Sequence, residues 1–115
     1  MTDDTNLVRL MGRISADPES KTLPSGDEVL TFRLVVRRSP AARRRSKQVV
    51  DTIECSVWSA PLRRKIARWH AGAEVVVEGQ LRRRFTRAGA GVTSFVTVEV
   101  DSCTRQRGTP VASEA

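Results

Sequence analysis

Charged residues interrupt every hydrophobic stretch of this 115-residue sequence, so it has no apolar run long enough to cross a membrane. Its start, MTDDTN, is polar and acidic, whereas a secretory signal is basic and then apolar. Cysteine is scarce as well: Cys55 and Cys103 have no metal-ligand spacing, and a chain of this length builds a core without a disulfide. We therefore expect a cytoplasmic protein in which both cysteines are reduced thiols. A disulfide between Cys55 and Cys103 remains the alternative.

The sequence also lacks the residue spacings of catalytic and metal sites. Its one histidine, His70, lies at the end of a predicted helix, where a cation interacts favourably with the helix dipole, so we interpret it as a cap or surface residue. Metal-dependent nucleases need converging carboxylates, and Glu74 and Glu78 share a strand face. Asp51 or Glu54 could approach them, but the spacing is not diagnostic. We predict no enzyme, no metal and no cofactor, with a metal-dependent nuclease as the remote alternative.

Arginine, in contrast, is abundant. The chain has 20 Lys and Arg against 13 Asp and Glu, a net charge of +7 and a pI near 10.9, and only Lys21, Lys47 and Lys65 are lysines. Such a chain attracts polyanions, and guanidinium groups suit phosphate contacts and base stacking. A GC-rich genome would also raise the arginine content, so the positions are more informative than the number. Those positions are clustered.

Alternating apolar and polar residues predict strands over most of the chain. We predict long strands over Asn6–Ser15, Glu28–Arg38, Gln48–Trp58, Glu74–Phe85 and Val92–Ser102, and a short strand piece at residues 21–23. A helix follows the third long strand, because Ser59 can cap it, Pro61 suits its first turn and Gly72 stops it. We assign residues 1–103 to one domain and residues 104–115 to a flexible tail.

The strand Glu74–Phe85, with the sequence EVVVEGQLRRRF, leads from core residues into cations. Gly79 in mid-strand predicts a bulge or bend that lets the sheet curve into a barrel, and Arg82 and Arg84 should share a face. Three long strands, a helix and two further strands predict an all-β, five-stranded Greek-key barrel of the oligonucleotide/oligosaccharide-binding (OB) fold, with one helix between strands 3 and 4.

Two surfaces of this barrel are candidates for contacts. The segment Ser39–Lys47 carries three consecutive arginines and predicts a mobile hairpin loop that contacts phosphates, with a merely solvated loop as the alternative. Leu7 and Met11 lie on the second face of the first strand, where another subunit could cover them, although single exposed apolar residues are common.

The two tryptophans are predicted to lie in different environments. Trp58 stands on the mixed face of its strand, whereas Trp69 on the apolar side of the helix is predicted to be core.

Five segments resemble, in the right order, bacterial single-stranded DNA-binding proteins of the tetrameric type: Asn6–Ile14, Asp17–Glu19, Phe32–Leu34, Asp51–Trp58 and Val75–Arg82. The resemblance implies non-catalytic, largely sequence-independent binding and protection of single-stranded DNA in replication, recombination or repair, in the cytoplasm at the nucleoid. It also implies a homotetramer, or a dimer, whose first strands pair through Leu7, Arg9 and Met11. An accessory protein of primosome assembly or RNA binding is the alternative.

The family stacks bases on aromatic residues while arginine and lysine follow the backbone. Trp58 matches a family aromatic and Phe85 lies next to another, but Pro40 and Thr52 stand where the family has aromatics, which implies weaker stacking here. The sequence ends in Val111–Ala115 without the family's acidic tip, which favours a short paralogue without tip-mediated partners. The candidate nucleic-acid-binding residues are Arg33, Arg37, Arg38, Arg43, Arg44, Arg45, Trp58, Arg82, Arg84 and Phe85.

Overall fold

Six strands and two short helices form the chain in a computed structural model that describes residues 4–89 and 91–106. Their order is β1 (Val8–Ile14), β2 (Glu19–Thr22), β3 (Glu28–Arg37), α1 (Pro40–Arg45), β4 (Val50–Val57), α2 (Ala60–Ile66), β5 (Glu74–Ala88) and β6 (Gly91–Arg105). The strands neighbour one another in the order β1-β5-β6-β4-β3-β2, and β1 also pairs with β3. That last pairing closes the five long strands into a barrel, so the predicted OB fold is confirmed.

The barrel interior follows from the alternation along each strand. Val75 and Val77 of β5 are fully buried, and Ile66 of α2 closes one side of the core. Trp69 packs against this core, as predicted, but it is half-buried and follows α2 instead of lying on the helix, which ends at Ile66. The complete buried cluster consists of Ile14, Leu30, Phe32, Leu34, Cys55, Val57, Ile66, Ala73, Val75, Val77, Val98, Val100 and Cys103.

Two glycines let neighbouring strands of the barrel approach each other closely. The pairing of β5 with β6 shifts register between Glu78 and Gly79, which is the predicted bulge. A Cβ at Gly79 would collide with the carbonyl oxygen of Glu99, and one at Gly12 would collide with that of Val35. Only glycine therefore fits these two close approaches.

Two helix predictions need correction. Residues 40–45, predicted as loop, form α1, because the Ser39 hydroxyl accepts a hydrogen bond from the Ala42 N–H (3.2 Å) and Pro40 suits the first turn. The second helix ends at Ile66, before the predicted stop at Gly72, which instead has a positive φ of 94° in the following turn. No helix in residues 4–89 and 91–106 is long and apolar enough to span a bilayer.

The last strand continues past the predicted domain end at residue 103. Thr104 and Arg105 pair with Val76 and Val75, and the predicted tail lies outside the described residues from residue 107 onward. Cys55 and Cys103 are both buried and are not joined in a disulfide. Burial raises the pKa of each thiol to about 12, so both stay protonated at neutral pH.

Candidate nucleic-acid interface

An open groove of about 910 Å³ crosses the outward face of β2, β3, β4 and β6. Since Cys55 and Val57 of β4 point into the core, the alternating residues Ser56 and Trp58 point into the groove. The complete lining consists of Lys21, Leu23, Val29, Thr31, Arg33, Thr52, Glu54, Ser56, Trp58, Arg84, Phe95, Val96 and Thr97. Cations, aromatic rings and small hydroxyl groups therefore meet on one surface.

Trp58 and Arg84 form the centre of this surface. The Arg84 guanidinium lies over the Trp58 ring, 5.5 Å from its centroid. Glu99 accepts contacts from Arg82 Nε at 3.4 Å and Arg84 Nη2 at 3.6 Å, so the two arginines share a face, as predicted. One carboxylate thus contacts both cations, and of the two Arg84 lines the groove beside the indole, whereas Arg82 is not among the groove residues.

Phe95 also lines the groove, although it was not among the candidate site residues. It is 42% exposed and pairs with Arg84 across the β5–β6 ladder. Phe85, which was a candidate, is 66% exposed and is not among the groove residues, because it alternates with Arg84 on the opposite face of β5. In the sequence, Phe95 alternates with Thr93 and Thr97, which indicates that these three residues share one face of the strand. Only the pairing register shows that this face lies beside Arg84 and the groove.

Two further candidate arginines are held by carboxylates on the neighbouring strand. Arg33 Nε lies 3.2 Å from Glu54, directly opposite it in the β3–β4 pair. Arg38 donates two hydrogen bonds to Asp51, at 2.7 and 3.0 Å. The Arg38 hydrogen bond lowers the pKa of Asp51, and the same bond raises the pKa of Arg38. These pairs fix the guanidinium groups and partly neutralise them.

The remaining candidate arginines form no ion pair within the described part of the chain. Arg43, Arg44 and Arg45 are exposed in the last turn of α1, where positive charge is favourable for a helix. Arg37 is exposed at the end of β3. Since α1 connects the ends of β3 and β4 near Thr52, these cations extend the positive surface beyond one end of the groove.

The outer side of β1 carries the predicted oligomer residues. Leu7 is 74% and Met11 58% exposed in the single chain. Arg9 pairs with Glu78 at 3.3 Å. Pairing with β5 covers one edge of β1, whereas β3 covers the other edge only at Arg13 and Ile14. Along residues 8–12, one edge of β1 therefore has no strand partner within the described chain.

The carboxylates of the nuclease alternative do not form a cluster. Asp51 and Glu54 pair with arginines of the β3–β4 sheet, while Glu78 contacts Arg9. Across residues 4–89 and 91–106, no group of three His, Cys, Asp or Glu side chains is arranged to hold a metal ion.

His70 lies in the turn after α2, on the surface, with Nδ1 3.6 Å from an Asp17 oxygen. The backbone N–H of Ala71 donates to Asp17 at 2.8 Å, and this hydrogen bond lowers the pKa of Asp17. The histidine thus stands beside a carboxylate that joins the β1–β2 turn to the turn after α2.

Comparison with known proteins gives one consistent result. Residues 5–106 match the model of the single-strand binding protein family. Similar curated proteins include "Single-stranded DNA-binding protein 3" of Listeria innocua, 34% identical over 80% of this chain and 57% of the relative. The "Single-stranded DNA-binding protein" of Oceanobacillus iheyensis is 30% identical over 80% of this chain and 56% of the relative. The chain thus spans little more than half the length of these relatives.

A solved structure described as "Plasmodium falciparum SSB complex with ssDNA" superposes with a TM-score of 0.76. The alignment covers 92% of this chain and 99% of that chain at 21% sequence identity. At that identity the likeness establishes the shared OB fold.

Proposed function

Since the chain belongs to the single-strand binding protein family, we propose that it binds and protects single-stranded DNA, without catalysis and with little sequence preference. The observation that carries the proposal is the groove in which Arg84 lies over Trp58 beside Phe95. An unpaired base can stack on an aromatic ring while the neighbouring guanidinium contacts its phosphate. A duplex cannot present its bases in this way, because they are already stacked and paired.

The phosphate contacts in this proposal come from two groups of arginines. Arg37, Arg43, Arg44 and Arg45 form no ion pair within the described chain, so they are available for direct contact. Arg33, Arg38, Arg82 and Arg84 contact carboxylates, and a phosphate must compete with Glu54, Asp51 and Glu99 for them. Phe95 joins Trp58 as a stacking residue in this proposal. Phe85 would contact only a strand that passes over the opposite face of β5.

We also propose that the protein acts as a homotetramer, or a dimer, in the cytoplasm at the nucleoid, in replication, recombination or repair. The exposed Leu7 and Met11, together with the uncovered edge of β1, support self-association. Pairing of two β1 edges would satisfy backbone groups that otherwise contact water. The same contact would bring further copies of the groove into one particle.

Equilibrium binding of a fluorescent oligonucleotide tests the proposed function. We expect single-stranded DNA to bind more tightly than the matching duplex, with an affinity that falls steeply as salt rises, by a log-log slope of about −0.7 for each phosphate contacted. Competition with RNA of the same sequence separates DNA binding from the RNA-binding alternative. Preference for the duplex, or an affinity independent of salt, would contradict the proposal, and DNA cleavage with magnesium would support the nuclease.

A further inference from the structure

The Asn6 side chain forms two hydrogen bonds with the backbone of a single residue, Leu81. Asn6 Nδ2 donates to the Leu81 carbonyl oxygen at 2.9 Å, and the Leu81 N–H donates to Asn6 Oδ1 at 2.9 Å. In an antiparallel pair a strand residue offers its neighbour one N–H and one C=O, and a carboxamide offers the same two groups. Asn6 therefore replaces a strand residue with its side chain.

The pairing of β1 with β5 explains why this replacement lies at Leu81. The last pair between the two strands is Val8 opposite Gly79, where β5 also shifts its register against β6. Continued by two residues, the same register places Asn6 opposite Leu81, but β1 begins only at Val8. The Asn6 side chain thus continues the hydrogen bonding along the edge of β5 after the backbone pairing has ended.

Leu81 lies at the base of a two-stranded arm. Residues 81–88 of β5 and 91–97 of β6 pair with each other and, in the described part of the chain, with no third strand. A two-stranded ribbon twists more than a wider sheet and has little stability of its own, so the contacts at its base determine its direction. On the β6 side the base is held by the parallel pairing with β4, and on the β5 side Asn6 supplies the hydrogen bonds.

The direction of the arm matters because the arm carries one of the two residues at the centre of the groove. Arg84 and Phe95 lie opposite each other on the arm and line the groove, which they share with Trp58. The Arg84 guanidinium keeps its place 5.5 Å from the centroid of the Trp58 ring only while the arm keeps its direction. Glu99 also contacts Arg84, at 3.6 Å, so loss of the Asn6 hydrogen bonds would loosen the arm rather than release it.

We propose that Asn6 is a positioning residue for DNA binding: its two hydrogen bonds to Leu81 fix the direction of the arm and so hold Arg84 over Trp58. The inference rests on the proposed binding of single-stranded DNA, and Asn6 acts on the DNA only through the arm. Because the arm is ordered before the DNA arrives, binding does not have to supply the free energy of ordering it.

The test measures the affinity of the full chain for a short single-stranded oligonucleotide that occupies one groove. We expect Asn6→Ala to weaken binding by roughly two- to tenfold, the cost of ordering about one side chain during binding instead of before it. Thr5→Ala is the matched control and should keep the affinity, because Thr5 is exposed and forms no side-chain hydrogen bond within the described residues. Both variants are compared at a temperature at which thermal unfolding shows them to be folded.

A double-mutant cycle separates positioning from general stabilisation. If Asn6 acts through Arg84, Asn6→Ala should cost clearly less affinity in the Arg84→Ala background than in the unaltered chain. In the Arg44→Ala background the two losses should multiply, since Arg44 lies on α1 and not on the arm. Equal affinity of Asn6→Ala and the unaltered chain, or an undiminished loss in the Arg84→Ala background, would overturn the positioning role and leave the proposed function intact. Failure of the unaltered chain to bind the oligonucleotide would overturn the proposed function itself.

Discussion

Trp58 and Trp69 occupy different environments, although both lie near α2. Trp58 lines the groove under the Arg84 guanidinium, whereas Trp69 packs against the core with Lys65 Nζ 5.9 Å from its ring centroid. Stacking of a base normally quenches indole fluorescence. We therefore predict that single-stranded DNA quenches the protein, that Trp58→Phe abolishes most of this quenching, and that Trp69→Phe preserves it at a cost in stability.

The affinity should follow the same distinction. Trp58→Ala should weaken binding by roughly 1–3 kcal/mol for a stacked base, with Phe95 as the remaining aromatic residue of the groove. Fluorescence titration of the tryptophan variants with single-stranded DNA measures the quenching and the affinity, and thermal unfolding measures their stability. Quenching that disappears with Trp69 instead would mean that the DNA does not enter this groove.

Glu99 contacts two candidate DNA-binding arginines at once, so we expect its carboxylate to compete with phosphate for both of them. Glu99→Gln removes the charge that competes with phosphate for Arg82 and Arg84. We predict tighter binding and a salt slope steeper by about 0.7 for each arginine that gains a phosphate. The stability should change by less than about 1 kcal/mol, because the paired side chains are partly exposed to solvent.

Asp27→Asn is the matched control for Glu99→Gln. It removes the same unit charge in the β2–β3 turn, where the carboxylate contacts the Ser25 hydroxyl at 3.1 Å. If both variants raise the affinity equally, only the net charge matters and the ion pairs in the groove have no specific effect.

At the scale of elements, α1 presents three arginines in six residues and buries none of its side chains. Replacing Arg43, Arg44 and Arg45 by alanine should preserve the helix, since alanine has the highest helix propensity. We predict lower affinity for single-stranded DNA and a salt slope shallower by about 0.7 for each phosphate that the variant no longer neutralises. The matched control replaces Arg64, Lys65 and Arg68, in and just after α2, by alanine. An unchanged slope in the α1 variant would make α1 a solvated surface.

The bulge in β5 is a second feature that can be tested as an element. A Cβ at Gly79 collides with the Glu99 carbonyl, whereas a Cβ at Gly91 meets nothing within 4 Å. We predict that Gly79→Ala destabilises the barrel by about 1–3 kcal/mol, the range for overpacking, while Gly91→Ala is neutral or slightly stabilising. Thermal unfolding of the two variants measures the difference. Equal effects would mean that the close approach at Gly79 is easily relieved.

These elements show which features the sequence could predict. Strand periodicity and the mid-strand glycine predicted the barrel, because core alternation and backbone clearance are local properties of the chain. Helix α1 was predicted as a loop, because the repulsion among its three arginines was given more weight than the capping signal of Ser39 and Pro40. Phe95 and the pairing of Glu99 with Arg82 were not predicted, because both depend on which residues lie opposite each other on neighbouring strands. Cross-strand register, rather than composition, decides how many arginines form ion pairs with carboxylates and how many do not.

At the scale of the whole molecule, self-association and DNA binding should respond to salt in opposite directions. Each added copy brings a further net charge of +7, so salt reduces the repulsion within an assembly held by apolar contacts and strand pairing. The same salt weakens phosphate contacts. We therefore predict a light-scattering mass that is a multiple of 12.7 kDa, four chains for the tetramer, and that persists at salt concentrations where DNA dissociates.

Met11→Asp tests which surface holds the assembly together. It introduces a charge on the 58% exposed outer face of β1 beside the uncovered strand edge, so burial against another copy would become unfavourable and the mass should fall. Val92→Asp is the control, because Val92 is similarly exposed, at 62%, but lies on the β5–β6 hairpin away from β1.

Short oligonucleotides should bind the dissociated Met11→Asp chain about as well as the assembly, since each groove lies within one barrel. Long strands should bind less tightly, because they lose the linked second site. A mass equal to one chain for the unaltered protein at every concentration would exclude the assembly, and a mass that falls only with Val92→Asp would move the interface to the hairpin.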